Sequence, residues 1–229
     1  MFLDALASSL NRSIFRYKGP LDYLSSRGVS EEEIKKYKIG FSRIVGVPDD
    51  GSEERARFME ESWKGRKFEN SIVFPVMNSL GYVIGLIGRS LDTKIFKVFV
   101  TEKAKHDGFF LGLYHALPYI YKSGRVFVVE GAFDWLALSK VLPNTVSSVT
   151  AGIYPNQYNL LRWYCGNIVT VFDSDEAGRY AADMASRKSG VLDMKLGYKD
   201  PAKCFESLGF NQFNRVIHNK VKNLPPVWM

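Results

Sequence analysis

The chain has 229 residues, of which 46% are hydrophobic and 24% are charged, and its formal net charge is +7. This composition is typical of a folded globular protein with one or two domains, and it excludes a disordered chain. The excess of positive charge favours a polyanionic partner but does not identify one by itself.

The longest apolar runs, such as residues 126–129, have the length of a strand rather than of a membrane span. No basic segment leads into an apolar stretch near residue 1, so the sequence predicts no signal peptide, no membrane association and a cytoplasmic location. The two cysteines, Cys165 and Cys204, are too few for a disulfide framework or a cysteine-rich zinc site. We therefore expect no zinc and two buried or incidental thiols.

The first 40 residues predict helices. Gly28 closes the segment that follows Pro20, and Ser30 with Glu33 has the spacing of a capping box at the start of a further helix. Residues 47–64 are polar and charged, and they predict a loop with a short surface helix.

Apolar segments separated by a turn at residues 78–81 then predict three strands, at residues 72–76, 82–87 and 95–100. Strands joined in this way are typical of an antiparallel meander. Residues 89–105 carry five lysines and arginines against two acids, so this half of the chain is also basic.

From residue 125 onward, strands alternate with helices. The predicted strands are residues 125–129, 145–149, 167–172 and 191–196, and the predicted helices are residues 132–141, 156–164 and 176–188. This alternation indicates βαβ units and a parallel sheet. The fold class is therefore α/β, with a parallel sheet flanked by helices and preceded by a mixed α+β basic subdomain with an antiparallel sheet. We place the boundary between the halves near residues 118–124.

Acidic residues follow three of the predicted parallel strands. Glu130 ends the first strand and Asp134 lies one helical turn later, while Asp173 and Asp175 follow the third strand and Asp200 follows the fourth. Ligands of open parallel sheets bind beyond the carboxyl ends of the strands, so we expect these acids on one rim. Their mutual repulsion would be relieved by hard divalent cations, which can hold phosphates and activate a hydroxyl. The alternative is that single acids, above all Asp134 and Asp175, only stabilise helix starts.

Two of these acidic segments resemble a known domain. Residues 128–134 (VVEGAFD) and 172–178 (FDSDEAG) are similar to the Toprim domain that primases, topoisomerases and some nucleases share. Its signature is a strand-ending Glu-Gly and, after a later strand, Asp-x-Asp. The resemblance implies a Toprim-type parallel sheet.

Further segments resemble bacterial DnaG-type primases in the order of that family. They are residues 23–30 (YLSSRGVS), 38–41 (KIGF), 72–76 (IVFPV), 81–85 (GYVIG), 88–89 (GR) and 111–114 (LGLY). This resemblance implies a DNA primase catalytic core. Such a core is a DNA-directed RNA polymerase, a metal-dependent nucleotidyltransferase that makes short RNA primers from NTPs on single-stranded DNA.

The resemblance also implies roles for individual residues. Glu130, Asp173 and Asp175 would be catalytic. Two or more Mg²⁺ or Mn²⁺ ions would be bound by Glu130, Asp134, Asp173, Asp175 and Asp200. The phosphates of nucleic acid or nucleotide would be held by Arg89, Lys97 and Lys105. The alternative for Arg89 and Lys97 is that they are solvated charges at strand ends.

Three segments and a set of partners follow from the same resemblance. Residues 1–118 would form the basic subdomain that binds template and NTP phosphates, residues 119–205 the Toprim metal-binding catalytic subdomain, and residues 206–229 a C-terminal tail. The expected partners are the DNA template, NTPs, the RNA–DNA hybrid product, and a replicative helicase or a separate template-recognition protein. No segment resembles the zinc-binding or helicase-docking domains of the family, so we expect a minimal core such as a phage would encode.

Some residues depart from the family pattern. Ala202 stands where the family has the second acid of Asp-Pro-Asp, and Ser71 replaces an arginine before the Phe-Pro-Ile strand. Residues 97–101 (KVFVT) also lack the asparagine of the family segment. Two alternatives therefore stay open: a Toprim-fold nuclease, and a catalytically impaired primase-like protein that acts in replication or regulation by binding DNA. A topoisomerase is disfavoured, because we recognise no strand-passage apparatus.

Overall fold

The structure is a computed structural model that describes residues 2–43, 50–62 and 66–227. The chain divides into two compact units, Met1–Lys105 and His106–Met229. Within the described ranges, no helix combines the length and the apolar character needed to cross a membrane.

The first unit begins with the predicted helices α1 (Phe2–Ile14), α2 (Lys18–Ser26) and α3 (Glu31–Lys36). The predicted capping box opens α3, because Ser30 Oγ accepts from the Glu33 amide and the Glu33 carboxylate accepts from the Ser30 amide. The predicted surface helix is α4 (Glu53–Glu61), whose Phe58 is buried in the core of this unit. The rest of that prediction, at residues 47–49 and 63–64, lies outside the described residues.

The antiparallel sheet of the first unit confirms the predicted meander. Its strands are β1 (Gly40–Ser42), β2 (Ser71–Met77), β3 (Val83–Ser90) and β4 (Phe96–Val100), in the order β1-β2-β3-β4. Strand β1 was not predicted, because three residues carry too little alternation to be recognised. The pairing of β3 with β4 sets Arg89 opposite Phe96 and Gly88 opposite Lys97. Helix α5 (Glu102–Asp107) follows β4.

The second unit has the predicted parallel sheet. Strands β5 (Arg125–Val129), β6 (Thr145–Ser147), β7 (Asn167–Thr170) and β8 (Val191–Asp193) lie in the order β6-β5-β7-β8 and are all parallel. Its helices are α6 (Leu113–Ser123), α7 (Ala132–Ser139), α8 (Pro155–Arg162), α9 (Glu176–Ser186) and α10 (Pro201–Lys222). Every residue of β5 is buried, which explains the apolar run from which this strand was predicted.

The boundary between the units lies earlier in the chain than expected. The predicted boundary at residues 118–124 falls within α6 and its cap at Gly124, and Pro118 lies inside this helix. The apolar residues of α6, among them Leu117 and Ile120, belong to the core of the parallel sheet. Residues 106–118 are therefore part of the second unit, and the break comes between Lys105 and His106.

The segment expected to be a C-terminal tail is largely helical. Helix α10 continues to Lys222, with a bend at Gly209, and it buries Phe213 and Ile217. The two thiols are buried and free, as expected. Burial raises the pKa of both Cys165 and Cys204 to about 11.

Candidate active site

The carboxyl ends of β5 and β7 bring two of the predicted acids together. Glu130 directly follows β5, and its Oε1 accepts a hydrogen bond of 3.2 Å from the amide of Asp173, which lies just after β7. These strands are neighbours in the sheet. Burial and the nearby carboxylates of Asp173 and Asp175 raise the pKa of Glu130 to about 7.

The start of α10 is the third segment that reaches the same rim, where it contacts Asp134. Asp134 lies in the first turn of α7, and its Oδ1 accepts a hydrogen bond of 3.0 Å from the amide of Ala202 in α10. Burial first, and then the carboxylates of Asp200 and Asp173, raise the pKa of Asp134 to about 7. The predicted convergence of three acid-bearing segments is therefore present in the geometry of the second unit.

Asp173 is the acid whose surroundings indicate an additional ligand. Burial, Asp200 and Asp175 raise its pKa to about 6, and Lys199 opposes this effect. Its Oδ1 atom is buried without a hydrogen-bond partner in the described part of the chain. A buried carboxylate oxygen without a partner is costly, and a bound cation would satisfy it.

Asp175 and Asp200 also serve as helix caps, which was the alternative for such acids. Asp175 Oδ1 accepts from the Gly178 amide at 2.9 Å and caps α9, and Asp200 Oδ1 accepts from the Lys203 amide at 2.6 Å and caps α10. In the described part of the chain, both of these cap bonds are made to the Oδ1 atom. Capping and a role at the rim are therefore compatible for both residues.

The rim fits a hard cation that keeps much of its own coordination shell. Across residues 2–43, 50–62 and 66–227, no three histidine, cysteine, aspartate or glutamate side chains are grouped as ligands of one ion. Magnesium is usually bound by one or two carboxylates, with water and substrate phosphates completing its shell. Adjacent carboxylates and the unpartnered Asp173 Oδ1 meet that requirement.

The predicted phosphate-binding residues Arg89, Lys97 and Lys105 all lie in the first unit. The Arg89 guanidinium lies 4.7 Å from the centre of the Phe96 ring, and its Nε is buried without a hydrogen-bond partner among the described residues. Lys105 is engaged in ion pairs, at 2.9 Å to Glu102 and 3.7 Å to Glu61. Lys105 thus has a structural role that the sequence did not reveal.

Lys67 was missed by the sequence analysis. Burial lowers its pKa, Glu61 opposes this effect, and the positive charges of Lys105 and Lys97 lower the pKa further. These three lysines therefore lie close enough to interact, which is an arrangement that favours an anion. The available signal was its place in the basic segment just before β2.

A strained loop beside Glu130 was also missed. Val149 has a φ of 60°, which is unusual for a β-branched residue, and its amide donates to the Glu130 carbonyl at 3.0 Å. The Ser147 hydroxyl donates to the same carbonyl at 2.7 Å. The loop after β6 therefore fixes the main chain of Glu130, and its strain marks it as a candidate functional segment.

Two family descriptions match the chain. They are "DNA primase catalytic core, N-terminal domain" over residues 10–103 and "Toprim-like" over residues 127–203. The chain belongs to the DnaG-type DNA primases. This membership confirms the family and the fold class that the motifs predicted, whereas the roles of single residues and a phage origin stay predictions.

Individual DNA primases are similar over most of the chain. The DNA primase of Helicobacter pylori is 28% identical over 213 residues, covering 83% of this chain and 38% of that protein. The DNA primase of Aquifex aeolicus is 27% identical over 248 residues, covering 95% of this chain and 48% of that protein. The chain thus spans less than half the length of these relatives.

Solved primase structures share the fold. The E. coli primase catalytic core is 25% identical with a TM-score of 0.81, covering 98% of this chain and 80% of that chain. A DnaG primase catalytic domain bound to ssDNA is 25% identical with a TM-score of 0.76, covering 95% of this chain and 79% of that chain.

Proposed function

We propose that this chain is a DNA primase catalytic core that joins NTPs into short RNA primers on a single-stranded DNA template. The observation that carries this proposal is the convergence on one rim of Glu130 and Asp134, which follow β5, with Asp173, which follows β7, where their pKa values rise to about 6 or 7. Perturbed carboxylates at the carboxyl ends of parallel strands are typical of a catalytic site. The similar proteins are named DNA primases, and one solved relative is named as bound to ssDNA.

Divalent metal would be held by the carboxylates of the rim. The proposed ligands of two or more Mg²⁺ or Mn²⁺ ions are Glu130, Asp134, Asp173, Asp175 and Asp200. Such ions neutralise phosphate charge and favour deprotonation of an attacking hydroxyl. The hydrogen bond from the Asp173 amide orients the Glu130 carboxylate, and the Ala202 amide orients that of Asp134. The protein thus supplies preorganised ligands, which is most of what phosphoryl transfer requires.

The first unit would contribute positive charge to the same function. We infer that Arg89 and Lys97 bind phosphates of the template or of NTPs, and that Lys67 belongs to this set because it lies close to Lys97. Lys105 would contribute less, because Glu102 and Glu61 already neutralise part of its charge. The RNA–DNA hybrid product, and a helicase or a separate template-recognition protein, remain proposed partners.

One observation favours a second candidate, a catalytically impaired core that binds DNA. Ala202 provides only its amide at the rim, where the family pattern has an acid. A rim with one acid fewer would bind cations more weakly, because each carboxylate adds to the attraction.

The test incubates the protein with single-stranded DNA, labelled NTPs and Mg²⁺ or Mn²⁺, and separates the products by size. Extended RNA that disappears with a chelator and with Asp173→Asn supports the proposed function. Cleaved DNA without new RNA would indicate a Toprim-fold nuclease instead. Tight DNA binding without either product would indicate the impaired core.

A further inference from the structure

An apolar groove of about 480 Å³ extends along the surface of the second unit between the loop after β6 and helix α9. Its lining includes three exposed side chains: Tyr154, Met184 and Tyr180 are 58%, 42% and 67% exposed. Large apolar side chains that share one exposed concave surface mark a binding site more often than single exposed ones do.

One wall of the groove is the loop after β6, which is hydrogen-bonded to the main chain of Glu130. The loop begins at the strained Val149, whose amide donates to the Glu130 carbonyl. It is held from behind by Gln157, which is 3% exposed and donates through Nε2 to the carbonyls of Phe109 at 3.0 Å and Ser148 at 3.1 Å. Gln157 also accepts from the Tyr154 amide at 3.1 Å. The position of Tyr154 is therefore fixed by the same loop that fixes Glu130.

The other wall is the surface of α9, which begins at the cap residue Asp175. Tyr180 and Met184 are four residues apart and lie on one face of this helix. Tyr180 follows Asp175 by five residues, which places it about 8 Å along the helix axis from the acidic rim. Both walls of the groove therefore begin beside residues of the acidic rim. The loop begins beside Glu130, and α9 begins at Asp175.

The loop after β6 and helix α9 contact each other at the bottom of the groove, so the groove is preformed. A Cβ atom on Gly152 would lie 3.3 Å from the Cβ of Ala181, and the φ of Gly152 is 107°, so this position requires glycine. Lys188 donates through Nζ to the Ile153 carbonyl at 3.1 Å and thereby ties the loop to the end of α9.

We propose that this groove binds the bases of the single-stranded DNA whose phosphates lie near the rim, with Tyr154 and Tyr180 as stacking surfaces. This inference rests on the proposed function, because it takes the DNA strand to be the polymer that reaches Glu130. Exposed aromatic rings next to basic groups are typical of surfaces that bind single strands without sequence preference. The charge is suitable as well, because the residues that line the groove in the described part of the chain include Lys188 and no acid.

The experiment compares binding of two fluorescently labelled strands that have equal numbers of phosphates, one with bases and one abasic. The protein is the full chain in Mg²⁺, as the wild type and as Tyr180→Ala, Tyr180→Phe and Tyr154→Ala. The matched control is Tyr121→Ala, because Tyr121 is 64% exposed on α6 of the same unit and does not line the groove. Melting temperatures verify that each variant is folded.

We expect Tyr180→Ala and Tyr154→Ala to weaken binding of the normal strand about fivefold or more, the scale of one lost base-stacking interaction. Binding of the abasic strand should stay unchanged, and Tyr180→Phe should keep wild-type affinity because it retains the ring. Tyr121→Ala should bind both strands as the wild type does. An equal loss on both strands, or unchanged binding by folded Tyr180→Ala, would overturn the groove assignment. Wild-type primer synthesis is measured separately, so its absence would count against the proposed function and not against the groove.

Discussion

The amide of Asp173 donates a hydrogen bond of 3.2 Å to Oε1 of Glu130, and this contact links the carboxyl ends of two neighbouring parallel strands. It orients the Glu130 carboxylate without neutralising it. Burial and the adjacent carboxylates raise its pKa to about 7, so in the folded chain the Glu130 carboxylate titrates close to neutral pH.

We predict that Glu130→Gln separates catalysis from DNA binding. The amide oxygen of glutamine can still accept from the Asp173 amide, so the local hydrogen bond survives while one negative charge is lost. We expect primer initiation to fall about a hundredfold or more, as when one preorganised group is removed from a catalytic site. DNA affinity should hold or increase, because less negative charge then faces the phosphates.

The control for this variant is Glu176→Gln, which changes an exposed acid in the first turn of α9. Initiation rate, DNA affinity and melting temperature are measured on the same preparations. Normal primer synthesis by Glu130→Gln, together with a lowered melting temperature, would contradict the catalytic role and leave a structural one.

Asp173→Asn and Asp175→Asn should each abolish synthesis and leave the fold intact. Asparagine is as good a helix cap as aspartate, so the bond from the Gly178 amide to residue 175 is retained. Asp175→Ala is the informative comparison, because it removes the cap as well and should cost about 1 kcal/mol of stability. The measurements are primer yield and thermal unfolding. Full activity in either asparagine variant would exclude that residue from the metal site.

The pKa of Asp134 predicts a pH dependence of stability. Burial and Asp200 raise this pKa to about 7, whereas an unfolded aspartate titrates near pH ~4. Between these values the folded state binds more protons than the unfolded state, so stability contributed by this group falls as the pH rises from ~4 to ~7. We expect the melting temperature of the metal-free protein to fall over that range, and Asp134→Asn to remove part of the fall. An unchanged pH profile in the variant would show that Asp134 is not the group responsible.

Much of this fold followed from periodicity alone. Strand β5 was predicted with its observed ends, because it is buried on both faces and reads as one apolar run. The acids of the rim were predicted from chain order, since the carboxyl ends of parallel strands meet at one edge.

Other features depend on tertiary contacts and left no local signal. Pro118 suggested a domain boundary, yet it lies within α6, whose apolar face packs on the sheet. The ion pairs of Lys105 connect it to Glu61, which is distant in sequence, so its pairing was not predictable. The same holds for the strain at Val149, which is maintained by hydrogen bonds around Glu130.

Salt dependence tests the basic residues of the first unit. When a protein neutralises several phosphates, the logarithm of its binding constant falls linearly with the logarithm of the salt concentration. We expect Arg89→Ala and Lys97→Ala each to reduce that slope by up to about one unit. Lys105→Ala should change it less, because Lys105 is paired with Glu102. Lys36→Ala, at an exposed position on α3, is the control. Unchanged slopes for both Arg89→Ala and Lys97→Ala would exclude these two residues from phosphate binding.

The last prediction concerns Ala202, where the family pattern has an acid. Its amide holds Asp134, so a carboxylate introduced at this position would stand beside Asp134 and Asp200. We expect Ala202→Asp to lower the melting temperature of the metal-free protein, because another like charge joins the rim. The same charge should strengthen cation binding, so Mg²⁺ should raise the melting temperature more than it does in the wild type. Primer synthesis at limiting Mg²⁺ should increase. Ala202→Ser, which adds a polar group without charge, is the control and should change neither quantity. If Ala202→Asp instead leaves the Mg²⁺ dependence of both melting and synthesis unchanged, then the natural alanine does not limit metal binding, and the impaired-core alternative loses its supporting observation.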